Sequence, residues 1–211
     1  MFKRFFLLIL ATILVGCSST NNVAADYALD SNTKNGVLLT SIRYVGGYSG
    51  YAVSYSSNSS KERGTIQFGE GMMLIPIVPK GDYAAYEKKA ELFAIELPEG
   101  EYQIDGWNVY SGYATISPIA PISIKFKVEA GKATYIGQFI FTETDSLGAT
   151  ITNVDVDYID NYQEDSAVLK SKYPNISETS IIRGILEDAE INGIGGNGNT
   201  AWDIPIVVVG Q

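Results

Sequence analysis

Apolar and polar residues alternate with a period of two along most of this chain. In ISIKFKVE, Ile122, Ile124, Phe126 and Val128 fall on one side, and Ser123, Lys125 and Lys127 on the other. In TITNVDVDY, Val154 and Val156 oppose Asn153, Asp155 and Asp157. Successive side chains of a strand point to opposite faces, so this pattern predicts half-buried strands. GVLLTSIRYV, GTIQF, MMLIPIV, ELFAIEL, EYQIDGWNVY and ATYIGQFIF extend the series, most of them separated by turn residues. Many short strands rich in Tyr, Ile and Val predict a mainly β fold, an antiparallel β-sandwich.

The period changes late in the chain. DNYQEDSAVLKSKYP predicts a helix from Asp160 to Tyr173. Asp160 with Gln163 fits a capping box, and Tyr162, Leu169 and Tyr173 share one side. Lys170 and Lys172 suit the helix C-terminus, and Pro174 stops it. A second helix is expected from Ser177 to Glu190, where Ile181, Ile182, Ile185 and Leu186 cluster. Gly184 weakens it by about 1 kcal/mol relative to Ala. NGIGGNGN then reads as a loop, and DIPIVVVG as a last strand that Pro205 confines to an edge or a strand start.

The N-terminus follows a different logic. Met1-Phe2-Lys3-Arg4 is positive, and Phe5 to Val15 carries no charge. A positive start and a short apolar run describe a secretory signal, too short to span a bilayer as a mature helix. Leu14-Val15-Gly16-Cys17 resembles the lipobox of bacterial lipoproteins. That resemblance implies removal of residues 1–16 and lipidation of Cys17. Stable anchoring takes more than one acyl chain, and a lipoprotein cysteine carries such a set. Ser18-Ser19, with no Asp after the cysteine, resembles sorting to a Gram-negative outer membrane, facing the periplasm. The polar stretch through Asn35 predicts a tether over residues 17–36, followed by one domain over 37–211.

Leu97-Pro98-Glu99-Gly100 suits a type I turn between ELFAIEL and EYQIDGW. A strand, L-P-x-G-x-Y and another strand resemble prealbumin-like modules of carboxypeptidase regulatory domains. FKVEAGKATYIGQF repeats the idea around Ala130-Gly131. The combination of lipobox, L-P-x-G-x-Y, G-K-x-x-Y-I-G and an acidic helix ending in K-Y-P is similar to small bacterial lipoproteins. These likenesses imply a prealbumin- or immunoglobulin-like sandwich with one or two C-terminal helices. They imply a fold and no activity.

Composition narrows the chemistry. Cys17 is the only cysteine and histidine is absent. The expected domain therefore has no thiol nucleophile, disulfide, Ser-His-Asp triad or common zinc set. Loss of Lys3 and Arg4 takes the 15 basic residues to 13 against 24 acidic ones, and the net charge from −9 to −11. That disfavours nucleic acid and anionic surfaces as partners. Gly193 to Gly198 spells G-x-G-x-x-G but lacks the following helix of a dinucleotide site. Ser31-Asn32-Thr33-Lys34 spells S-x-x-K but lies in the expected tether. No cofactor is expected.

Asp155, Asp157, Asp160, Glu164 and Asp165 are close in sequence. Asp155, Asp157 and Asp160 are the weak candidates for a calcium site, without the EF-hand spacing. The plainer reading is the solvated face of a strand running into a helix N-terminus. A repeated pentapeptide is more distinctive. Tyr48-Ser49-Gly50-Tyr51-Ala52 recurs as Tyr110-Ser111-Gly112-Tyr113-Ala114, with Trp107 just before the second copy. The rings suit either cross-strand packing within a sheet or a contact surface for a glycan or protein. The expectation is a non-enzymatic, lipid-anchored binding or assembly module of the cell envelope, touching the membrane through its lipid and an envelope protein or glycan through Tyr48, Tyr51, Trp107, Tyr110 and Tyr113. The alternatives are an envelope carbohydrate hydrolase using paired carboxylates, and a structural spacer.

Overall fold

The computed structural model describes residues 22–71, 81–185 and 187–203. Cys17, MMLIPIV and the strand expected after Asp203 lie outside the described residues. The alternating segments become β1 (Asn35–Val45), β2 (Gly50–Ser57), β3 (Arg63–Phe68), β4 (Ala90–Pro98), β5 (Gly100–Ser111) and β6 (Ala114–Pro118). They continue as β7 (Ile124–Val128), β8 (Ala133–Leu147), β9 (Thr150–Ile159), β10 (Ile181–Arg183), β11 (Glu190–Ile191) and β12 (Gly198–Trp202). One α-helix, α1 (Tyr162–Lys172), follows β9.

The strands form two six-stranded sheets. The first runs β11-β9-β8-β1-β4, with β10 also on β8; the second runs β12-β6-β5-β2-β3, with β7 also on β5. Buried side chains from both sheets join in one apolar cluster. Pairing is not wholly antiparallel, as the alternation had suggested: β1 and β10 both run parallel to β8. The reason lies in β1, which is buried along nearly its whole length. Its apolar run suits a strand covered on both faces. Tyr44 stacks on Tyr51 of β2, ring centroids 4.8 Å apart. Ser41 meets Asp165 of α1.

The two segments that read as hairpins are arches between sheets. β4 lies in the first sheet and β5 in the second; β7 and β8 divide likewise. Local sequence cannot separate the two cases, because either strand alternates in the same way. Tyr102 reaches back from β5, its hydroxyl donating to the Pro98 carbonyl at 2.9 Å. This resembles the tyrosine corner that braces chain crossings between sheets.

Helix α1 is shorter than expected. Asn161, not Asp160, is the N-cap residue, and the expected capping box with Gln163 does not form; Asp160 stands one residue earlier and accepts from the Tyr162 N–H at 3.1 Å in a local turn. Glu164 and Asp165 fill the first turn, and Lys170 and Lys172 the last, as the helix dipole favours. Among the described residues of Ser177–Glu190, the expected second helix does not form. A single 3-10 turn (Glu178–Ser180) leads into β10. Ile181 and Ile182 are β-branched and suit a strand. Gly184 donates its N–H to the Tyr135 carbonyl at 2.7 Å. A Cβ there would sit 3.1 Å from Thr134 Cγ2, so only glycine approaches β8 without a shift.

Residues 22–34, expected as tether, lie on the body. Val23 donates its N–H to the Ala94 carbonyl of β4, and Asn22 Oδ1 accepts from the Ala94 N–H, both at 2.8 Å. Val23, Tyr27 and Leu29 pack against the core.

Candidate functional site

The pentapeptide copies meet in space. Gly50 pairs with Tyr110 across β2 and β5. Ser49 and Ser111, both buried, share a hydrogen bond of 2.9 Å between their hydroxyls. Ser111 also accepts from the Ile151 N–H at 2.9 Å, which ties the pair to β9. The repeat is thus a joint between the two sheets.

Its aromatic residues do not form one surface. Tyr51 is 1% exposed, lies between Tyr44 and Phe141, and donates its hydroxyl to the Gly47 carbonyl. Burial pushes that hydroxyl well above the usual tyrosine range, with Tyr44 and Glu143 adding to the effect. Trp107 is also 1% exposed, and its indole N–H donates to the Ile194 carbonyl at 2.8 Å. These two are core residues, because the inner faces of β2 and β5 point into the shared core. Tyr48 and Tyr110 are half-buried. Tyr113 is 54% exposed.

Trp107 also explains the glycine-rich loop. Ile194 is buried and donates its N–H to the Val156 carbonyl; the Gly195 carbonyl accepts from the N–H groups of Ile119 and Ala120. Gly195 has φ +81°, and a Cβ there would lie 3.1 Å from Trp107 Nε1. The loop is a lid over the core edge.

Sequence reasoning missed two exposed apolar residues near the β5–β6 turn. Trp202 of β12 is paired with Ala114 and is 46% exposed. The Asp203 N–H donates to the Tyr113 carbonyl at 2.8 Å. The β8–β9 turn stands alongside: a Cβ at Gly112 would lie 3.4 Å from Thr150 Oγ1. Leu147, at the end of β8, is 70% exposed. Large exposed apolar residues therefore gather around the β5–β6 turn. Each is unremarkable singly; their grouping is the signal, and no local pattern carried it.

The acidic candidates are dispersed among structural tasks. Asp155 is exposed on β9. Asp157 accepts from the Gly193 N–H at 2.9 Å. Asp160 pairs with Arg183 and accepts from the Asp188 N–H at 3.0 Å. Among the described residues, no group of three or more acidic, cysteine or histidine side chains is placed to hold a metal.

Asp165 is the unusual carboxylate, at 1% exposure. It accepts from the hydroxyls of Tyr83 (2.5 Å), Tyr135 (2.8 Å) and Ser41 (2.7 Å), and from Asn161 Nδ2 (2.9 Å). Gln138 Nε2 donates to Ser41 Oγ at 2.9 Å. Burial raises its pKa, against the lowering pull of the four donors. All its ready acceptor directions are taken by protein groups, so it locks α1 to β1 and β8. Glu91 is also raised, chiefly by burial, with Lys172 opposing. Lys172 contacts Asp82 at 2.7 Å and Glu91 at 3.6 Å, and donates to the Leu92 carbonyl at 2.8 Å. Lys172 and Glu91 hold the helix and the β4 edge together.

No family model matches the sequence, and no curated protein sequence matches it. Among solved structures, a leucine-rich repeat protein from Bacteroides thetaiotaomicron is similar at 13% identity, over 51% of this chain and 14% of that one, with a TM-score of 0.28.

Proposed function

We propose that this chain is a lipid-anchored binding or assembly module of the cell envelope, with no catalytic role. Cys17 carries the lipid, and the outer membrane, facing the periplasm, is its place. The body is read as a β-sandwich of the prealbumin or immunoglobulin type. The crossings braced by Tyr102 and Tyr51 favour this, although the parallel β1–β8 pair departs from a simple antiparallel plan.

The observation that carries the binding reading is the exposed group at the β5–β6 turn. Tyr113, Trp202 and Leu147 are all exposed there. Aromatic residues beside a rigid turn give contact area at low entropic cost, and Tyr and Trp are preferred anchors of interfaces. An envelope protein or glycan is the partner. The raised acids, Asp165 and Glu91, are engaged in packing, which supports a binding role over hydrolysis.

The test compares wild type with a Tyr113→Ala/Trp202→Ala variant by cross-linking in intact envelopes. The variant should fold normally and lose the cross-linked product. An unchanged product would overturn this contact surface. Cys17→Ser should move the protein from the membrane to the soluble fraction, and retention after a carbonate wash would overturn the anchor.

A further inference from the structure

The N-terminal segment is fastened at one edge of the first sheet. Outward-facing polar groups of an edge strand invite foreign strands unless they are covered. On β4 they are covered by this chain itself. The Leu92 N–H donates to Asp82 at 2.9 Å, and its carbonyl accepts from Lys172 at 2.8 Å. The Ala94 N–H and carbonyl are taken by Asn22 and Val23. Asn175 Nδ2 also donates to the Asp26 carbonyl at 2.8 Å. The leash from Cys17 therefore ends at Asn22. Those five peptide units span at most about 18 Å when fully extended.

Acidic residues lie on both sides of the same sheet. The α1 and β4 side carries Lys88, Lys89, Lys170 and Lys172 beside Asp82, Glu87, Glu91, Glu96, Glu164, Asp165 and Glu178, and three of these lysines form ion pairs. The opposite edge, β9 and β11, carries Asp155, Asp157 and Glu190. Four strand spacings, about 19 Å, separate β4 from β11.

We infer that the α1/β4 face is the side turned toward the bilayer, held there by a short leash. The acidic β9/β11 edge points away from the membrane. This rests on the proposed lipidation of Cys17. A leash shorter than the body restricts approach to the hemisphere around the β4 edge. The partner of this face is the lipid surface itself, distinct from the protein or glycan proposed for the β5–β6 turn.

The test uses full-length, lipidated protein in vesicles of phosphatidylcholine and phosphatidylglycerol that contain a headgroup-quencher lipid. A single fluorophore is placed at Ser171→Cys on α1 or at Asp155→Cys on β9, both exposed positions. Wild type, its one thiol blocked by the lipid, should take no label and should show the lipid mass. The Ser171 label should lose most of its emission, and the Asp155 label should keep most of it. Equal quenching, or stronger quenching at Asp155, in protein with the lipid mass overturns the orientation and leaves the anchor standing. Wild type that takes label and lacks the lipid mass overturns both. A long Gly/Ser insertion between Asn21 and Asn22 should abolish the difference; its survival would overturn the leash as the cause.

Discussion

Tyr51 and Tyr113 hold the same place in two identical pentapeptides, yet one is sealed in the core and the other stands in solvent. The difference comes from the connection each copy makes. The first copy follows Gly46-Gly47 on the arch that carries the chain from β1 in one sheet to β2 in the other. There Tyr51 must point between the sheets, and its hydroxyl braces the arch at Gly47. The second copy makes a two-residue turn between β5 and β6 within one sheet. Gly112 has φ +59° while Tyr113 does not have positive φ, the pattern of a type II′ hairpin turn. No sheet crossing needs bracing, so Tyr113 projects outward. Identical residues took opposite roles because the chain crossed the core at one copy and turned back at the other.

The largest break in this comparison should come from Tyr51→Ala. It removes a ring stacked on Tyr44 and leaves a cavity, at a cost of about 3–5 kcal/mol. Thermal melts should show a large fall, whereas the same change at Tyr113 should not. Alkaline titration sharpens the point. The Tyr51 hydroxyl is raised by burial above the ordinary value of 10.0. Its contribution is present below that value and is lost as pH rises, because the unfolded chain ionises first. Wild type should lose stability on the alkaline side, with tyrosinate absorbance rising with unfolding. Tyr51→Phe should show a weaker alkaline loss.

Ser111→Ala tests the joint between the copies. It leaves the Ile151 N–H and the Ser49 hydroxyl without their shared partner. Urea melts should report a cost of about 1–3 kcal/mol. Gly112→Ala should cost about 1–2 kcal/mol, because alanine disfavours the left-handed backbone. The smallest stability effect is expected for Tyr113→Ala, within about 0.5 kcal/mol, as for an ordinary surface position. A large destabilisation there would merge the two copies into one structural class and remove the basis of the contact surface.

The sequence by itself determined the local elements. Period-two alternation located β5, β7 and β9, because a strand with one buried face must alternate whatever its neighbours. The run of acids then lysines, closed by Pro174, located α1, because caps and the helix dipole act within a turn. Tertiary structure decided what those elements meet. ELFAIEL and EYQIDGW alternate identically in a hairpin and in an arch, and only the pairing of β4 with β1 and of β5 with β2 chose the arch. Ile181 and Ile182 suited a helix by clustering, until the open side of β8 offered backbone partners. Asp165 sat in an ordinary first-turn acidic run, and its burial required Ser41, Tyr83 and Tyr135, distant in sequence, to converge on one carboxylate. The fate of each tyrosine in the repeat was likewise set by the path of the chain around it, since a side chain's burial depends on what covers it, and that covering comes from residues its own neighbourhood does not contain.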